Sequence, residues 1–382
     1  MVLFLILFCT YAYFYQSGEH NENSRFDQIR AIIEHGDMSI NRYAYNTADM
    51  IKAGPDQQFF PNKAPGSTYL GMPAWWGVQQ LADWLGISGY AREHLLCYGT
   101  TIIALSLLSA WGGAMLFQIA FAISSDLVSA IALTLAYGLG TISFPFSTIY
   151  FGHQIAASLL ILSFGLIYFA QAKPNEKTWQ LAFQVFFAGL LAGSTGLVEY
   201  PNAIGIGLLF LYCCFVFRSV KITLWYCIGS LLALSGLLLY SYKAFGSPFV
   251  LSYSYYQGTD APIFRGHNKG FLGVGLPTLE ALWGITFNRQ RGIFYCNPWL
   301  LLTVPACIMV LWRRVLRTPE MICCLAMTLC YFVFNAGYGD SIAFWGGGHS
   351  IGPRHLIPML PFAALLVLPI FQYKIVQVFF YP

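Results

Sequence analysis

The first polar stretch of this sequence, 16–65, sets Glu22 and Asp27 on either side of Arg25. Two carboxylates near the start of a helix could act as general base and orienting group. A carboxylate withdrawn from water has its pKa raised towards neutrality, where it best takes a proton from a hydroxyl. A solvated helix face with an acidic first turn, favoured by the macrodipole, has the same pattern. Further on, Phe59-Phe60-Pro61-Asn62-Lys63-Ala64-Pro65-Gly66 holds a lysine in a rigid turn. A compact positive charge there suits a lipid phosphate, and equally a lysine snorkelling at an interface.

The remaining candidates lie at the ends of apolar runs. In Tyr150-Phe151-Gly152-His153-Gln154, His153 could bind a phosphate or a sugar hydroxyl, or be satisfied by backbone. Glu199, in Val198-Glu199-Tyr200-Pro201, is held close to a membrane by a very short loop, which is costly unless it is paired or functional. The glycines of Trp345-Gly346-Gly347-Gly348-His349 allow close backbone approach to a ligand. Arg354 and His355 follow; an arginine can fork onto a phosphate as lysine cannot, or anchor to head groups. The stretch 242–295 carries Tyr253, Tyr255, Tyr256, Arg265, His267 and Lys269, suited to sugar stacking or to an ordinary interface. No HxxxH, HExxH or CxxC spacing occurs, so neither a metal site nor a cofactor is expected.

These residues must be positioned by a membrane protein. Of the 382 residues 57% are hydrophobic and only 9% charged, whereas soluble domains carry about 25% charged residues. The apolar residues come in blocks long enough for a bilayer core of about 30 Å. The pattern predicts an all-α polytopic membrane protein, one domain with about ten transmembrane helices near 2–16, 96–122, 127–143, 154–171, 179–197, 202–217, 222–241, 296–312, 320–337 and 354–373. The first run is short for a span and Ile375–Tyr381 resembles the start of another, so both ends are expected to continue beyond this sequence. The net charge of +4 is spread out, with no basic stripe, and gives nucleic acid nothing to bind. Most cysteines lie inside apolar blocks and read as small hydrophobes.

The topology turns on Ser67–Leu85. As an interfacial helix with Trp75, Trp76 and Trp84 at head-group depth, it leaves Lys173 and Lys177, Arg218 and Lys221, and Arg313, Arg314 and Arg317 inside, as the positive-inside rule favours. As a span it would invert them. The first arrangement puts 17–95, 144–153, 198–201, 242–295 and 338–353 outside. Those segments hold all seven histidines, or their membrane edge, and every acidic residue except Asp126, Glu176 and Glu320. Asn23–His35, apolar at helical spacing and ending at Gly36, reads as a second surface helix.

Taken together, Asn21-Glu22-Asn23-Ser24-Arg25-Phe26-Asp27, the helix closed by His35-Gly36-Asp37, and Asn62-Lys63-Ala64-Pro65-Gly66 resemble the first outer loop of polyprenyl-phosphate-sugar-dependent glycosyltransferases of the GT-C superfamily. That class contains the protein O-mannosyltransferases and the lipid A aminoarabinose transferases. The likeness covers about 60 residues; some bacterial members also share endings like Trp345-Gly346-Gly347 and Gly352-Pro353-Arg354-His355. It implies two interfacial helices in the first loop, an Asp-Glu pair acting on the acceptor, and a lysine on the lipid-linked phosphate. Here Asn21 stands where the aspartate belongs, so the base would be Glu22 or Asp27, and Lys63 would meet the phosphate.

The expected activity is inverting transfer of a sugar from a polyprenyl-phosphate carrier to a lipid, polysaccharide or protein acceptor. Lys63, His153, Glu199, Arg354 and His355 would bind substrate, with membrane lipids as further partners. Compact loops and the lack of a retention signal point to a bacterial inner membrane, the site facing the periplasm or exterior. A flippase of lipid-linked sugars and a non-enzymatic envelope scaffold are the competing classes.

Overall fold

The computed structural model describes residues 1–54, 56–172, 178–256, 266, 270, 273–348 and 350–371. Helices dominate, because an apolar run without water must satisfy its own backbone hydrogen bonds. In chain order the principal helices are α1 (Val2–Tyr13), α2 (His20–His35), α3 (Gly66–Trp84), α4 (Gly89–Ser124), α5 (Leu127–Leu139) and α6 (Gly152–Gln171). They continue as α7 (Thr178–Val198), α8 (Tyr200–Phe217), α9 (Val220–Phe245), α10 (Pro298–Trp312), α11 (Pro319–Ala336) and α12 (Arg354–Phe371). Seven of these, α4, α6, α7, α8, α9, α11 and α12, are long and apolar enough to cross a membrane. The chain is an all-α polytopic membrane protein. The other three expected spans correspond to α1, α5 and α10, which are apolar but shorter. At 1.5 Å per residue, the 12 residues of α1 fall well below the thickness of a bilayer core.

The bundle packs through small residues. A Cβ added to Gly189 or Gly193 of α7 would lie 2.1 Å from the Tyr226 carbonyl oxygen or 2.4 Å from that of Ser230 on α9, so these two backbones touch. Such close approach lets apolar helices associate where lipid supplies no hydrophobic drive. The last helix is the centre of the bundle: every residue from Leu360 to Leu368 is buried. The outward face of α9, with Leu224, Leu231, Leu232 and Leu239 exposed, is apolar, as a lipid-facing surface must be.

The first loop is built on two helices and a hairpin. Helix α2 starts with a capping box between Glu19 and Glu22 and ends at Gly36, whose φ of 66° is left-handed. It begins three residues before the expected Asn23, because the cap lies at Glu19. Residues Met50–Ala53 and Gln58–Pro61 form an antiparallel pair that the hydrophobic pattern did not predict, β1 and β2, with Met50 opposite Pro61. Helix α3 occupies the expected interfacial segment and is not among the helices apolar enough to span. Trp76 and Trp84 are exposed on it, but Trp75 is 1% exposed and lies against Phe26 with ring centroids 5.9 Å apart. The expectation of three tryptophans at head-group depth is corrected for Trp75, which anchors α3 to α2.

Arg265, His267, Lys269 and His349, the basic residues Lys173 and Lys177, and the apolar end Ile375–Tyr381 lie outside the described residues.

Candidate functional site

A cavity of about 720 Å³ opens where five separate parts of the chain converge. The first loop contributes Glu19, Asn21, Asp49 and Lys63; the stretch between α5 and α6 contributes Phe146 and Phe151. Tyr253, Arg291, and the segment from Tyr338 through Gly348 to Arg354 and His355 complete the wall. These are the segments that the positive-inside arrangement groups on one side. The Arg218 turn follows the opposite end of α8 from Tyr200, about 27 Å along the 18-residue helix at 1.5 Å per residue.

The hairpin explains how Lys63 meets its partner. Pairing Met50 with Pro61 makes Asp49 and Asn62 neighbours, and the Asn62 amide donates to the Asp49 carbonyl at 3.3 Å. Asn62 Nδ2 then donates to Asp49 Oδ1 at 3.2 Å, and Lys63 Nζ lies 3.3 Å from Asp49 Oδ2. Burial would raise the Asp49 pKa, but the positive charges of Lys63 and Arg354 outweigh it and hold the carboxyl at about 2. Burial also lowers the Lys63 pKa, with Asp49 opposing.

Behind the cavity wall lies a buried ionic layer. Arg25 Nη2 donates to Glu199 Oε1 at 2.9 Å, and Arg25 Nη1 donates to the Asn21 carbonyl at 2.8 Å and to its side-chain oxygen. His153 Nδ1 is 4.0 Å from the same Glu199 oxygen, and the His153 ring stands edge-on to His355 with centroids 4.9 Å apart. His355 in turn contacts the Tyr338 ring at 5.0 Å. Gly152, beside His153, makes room for this layer: a Cβ there would lie 2.5 Å from Glu199 Oε1. Glu199 is thus paired, as a carboxylate at a membrane edge requires.

The structure brings Lys63, Arg354 and His355 into the cavity wall and sets His153 and Glu199 directly behind it. It does not bring Glu22 or Asp27 there: neither lines the cavity. Glu22 Oε1 turns back to accept from the backbone amides of Gly18 and Glu19, which is the work of a helix cap. Asp27 Oδ1 accepts from Asn46 Nδ2 at 3.0 Å. Burial pushes both carboxyls up to about 7, despite these hydrogen bonds. Cap geometry and Asn46 thus turn the two acids that flank Arg25 away from this cavity.

Among the described residues, the carboxylates that line the cavity are Glu19 and Asp49, neither of which the sequence singled out. Arg291 was missed as well. Asp49 is placed by the short hairpin, whose register the hydrophobic pattern did not announce. Arg291 had no signal either, being one basic residue in a loop of mixed composition. Among the described residues no group of three or more His, Cys, Asp or Glu side chains is arranged to hold a metal ion.

Comparison with protein-family models gives no match, and comparison with curated proteins gives none either.

Proposed function

We propose that this chain transfers a sugar from a polyprenyl-phosphate carrier to a hydroxyl acceptor at the outer face of a bacterial cytoplasmic membrane. The observation that carries this reading is the meeting of Lys63 and Arg354 in one cavity at the end of a lipid-facing helical bundle, with Glu19 and Asp49 beside them. A carrier's phosphate would sit against the two cations while its prenyl tail lies along apolar helix surface. Positive charge fixed where negative charge develops is the main requirement for expelling a phosphate.

In the reaction, the acceptor oxygen attacks the anomeric carbon from the face opposite the phosphate. The C1–O bond to phosphate breaks, its electron pair leaves with the phosphate, and Lys63 and Arg354 meet the charge. The acceptor proton passes to a cavity carboxylate. Asp49 is a poor base because Lys63 holds it ionised at low pH, and it serves to position that lysine. Glu19, which lines the cavity as well as closing the α2 capping box, takes the proton.

The test incubates purified protein in lipid with labelled polyprenyl-phosphate sugars and extracted envelope acceptors. Wild type is expected to form product with inverted anomeric configuration, and Glu19→Gln to bind donor but turn over at least about 100-fold more slowly. If donor is neither consumed nor bound, the transferase reading is wrong. If donor crosses the bilayer of sealed vesicles unchanged, the protein is a flippase.

A further inference from the structure

Arg291 has no part in the chemistry above, yet it lines the same cavity as Arg354. The arginines paired in and beside the first loop each face a carboxylate: Arg25 meets Glu199 at 2.9 Å, Arg30 meets Glu93 at 2.8 Å, and Arg92 meets Asp83 at 3.2 Å. Among the described residues, neither Arg291 nor Arg354 has an ion-pair partner. Arg291 Nη2 donates to the Gly348 carbonyl, and the Arg354 guanidinium lies over the Phe151 ring, 5.4 Å from its centroid. The Nε of each is buried without an acceptor.

A glycine turn holds these two cations side by side. A Cβ on Gly346 would stand 3.0 Å from Arg291 Cγ, and one on Gly347 would stand 3.0 Å from Arg354 Cγ. Gly347 and Gly348 also adopt φ of +83° and +68°, which side chains disfavour. Neither guanidinium is ion-paired, and the nearby Asp49 is already paired with Lys63, so the two groups repel each other and an entering anion relieves that cost.

Lys63 differs, because Asp49 already offsets its charge. A sugar joined to a lipid through one phosphate is a diester with a single negative charge, which Lys63 and Arg354 are enough to meet. Arg291 adds a third cation and a second fork. A diphosphate linkage carries one negative charge on each phosphoryl group and offers acceptor oxygens to both forks.

We infer that the cavity takes a lipid-linked sugar diphosphate, with Lys63 and Arg354 on one phosphoryl group and Arg291 with Arg354 on the other. This rests on the donor reading of the cavity and narrows the carrier to one with two phosphoryl groups. The bond broken is then C1–O to the nearer phosphoryl group, and its electron pair leaves on the lipid diphosphate. The acceptor oxygen bonds to C1 and its proton goes to Glu19.

The experiment measures binding of two glycolipids with the same hexose and polyprenyl chain, one linked by a monophosphate and one by a diphosphate, to protein in lipid nanodiscs. The diphosphate is expected to bind about tenfold tighter or more. Arg291→Gln should remove that preference by weakening diphosphate binding far more than monophosphate binding, and Arg291→Lys should keep part of it. Arg289→Gln, an exposed neighbour outside the cavity wall, controls for general attraction of charge and should change neither affinity. Equal wild-type affinities, or a preference that survives Arg291→Gln, overturn the diphosphate and leave the donor reading standing. If neither glycolipid binds, the donor reading itself falls.

Discussion

Arg25 of α2 and Glu199, between α7 and α8, form an ion pair of 2.9 Å with both side chains buried. This contact joins the first loop to the bundle, and the cavity lies against it through Asn21, which Arg25 also binds. Removing one partner leaves the other charge buried and uncompensated, at a cost of about 3–5 kcal/mol. Arg25→Met and Glu199→Met should each lower unfolding stability in detergent by that order. The double variant should lose clearly less than the sum, and additive losses in the cycle would show that the pair is not coupled.

The entry to α3 gives a paired prediction. A Cβ on Gly66 would lie 2.5 Å from the Leu197 carbonyl carbon, a backbone atom that cannot turn aside, whereas one on Gly77 meets nothing within 4 Å. Gly66→Ala should destabilise by about 1–3 kcal/mol. Gly77→Ala should be neutral or stabilise by about 0.5–1 kcal/mol, since it adds helix propensity without a clash. Thermal unfolding of the two variants side by side checks both.

Stability should fall as pH rises from about 4 to 7. Burial raises Glu22 from 4.5 to about 7 and Asp27 from 3.8 to about 7, so in this interval the folded chain holds protons that the unfolded chain has released. By linkage each group weakens the fold across that window, by roughly 3–4 kcal/mol at most once fully ionised. Glu22→Gln and Asp27→Asn should each flatten the slope of melting temperature against pH. A slope unchanged in both would contradict the assignment. Below pH 4 the sign reverses at Asp49, whose pKa of about 2 makes its contribution vanish as it protonates.

Lys63 and Asp49 should act on anion binding in opposite directions. Asp49→Asn frees the lysine charge and is expected to tighten phosphate-headgroup binding by about tenfold, while Lys63→Met weakens it by at least as much. Binding of a polyprenyl-phosphate glycolipid to each variant in nanodiscs measures this. Both shifts should shrink at high salt as the charges are screened.

Helix positions were legible in the sequence to a large extent, because a run of apolar residues in a membrane has few alternatives to a helix. All ten expected spans are helical, though only seven are of spanning length. Gly66–Trp84 was expected not to span, from the parity of the basic loops, and it is not among the helices long and apolar enough to do so. The hairpin at Met50–Pro61 was not legible, since its strands are four residues each and the consecutive Phe59-Phe60 breaks the alternation in the second.

Local types singled out Lys63, His153, Glu199, Arg354 and His355, because charged and polar groups beside apolar spans are costly enough to signal a reason for being there, and the fold gathers them in or behind one cavity wall. Sequence spacing could not say which way a side chain turns from its backbone. Glu22 is drawn into capping its own helix, and Asp27 towards Asn46. Only the tertiary structure decided that Asp49 sits on Lys63, that Arg25 reaches Glu199, and that Arg291 joins Arg354. Each of those pairs is set by strand register, by helix packing or by a glycine turn between segments distant in the chain, and such contacts leave no periodic trace in the sequence.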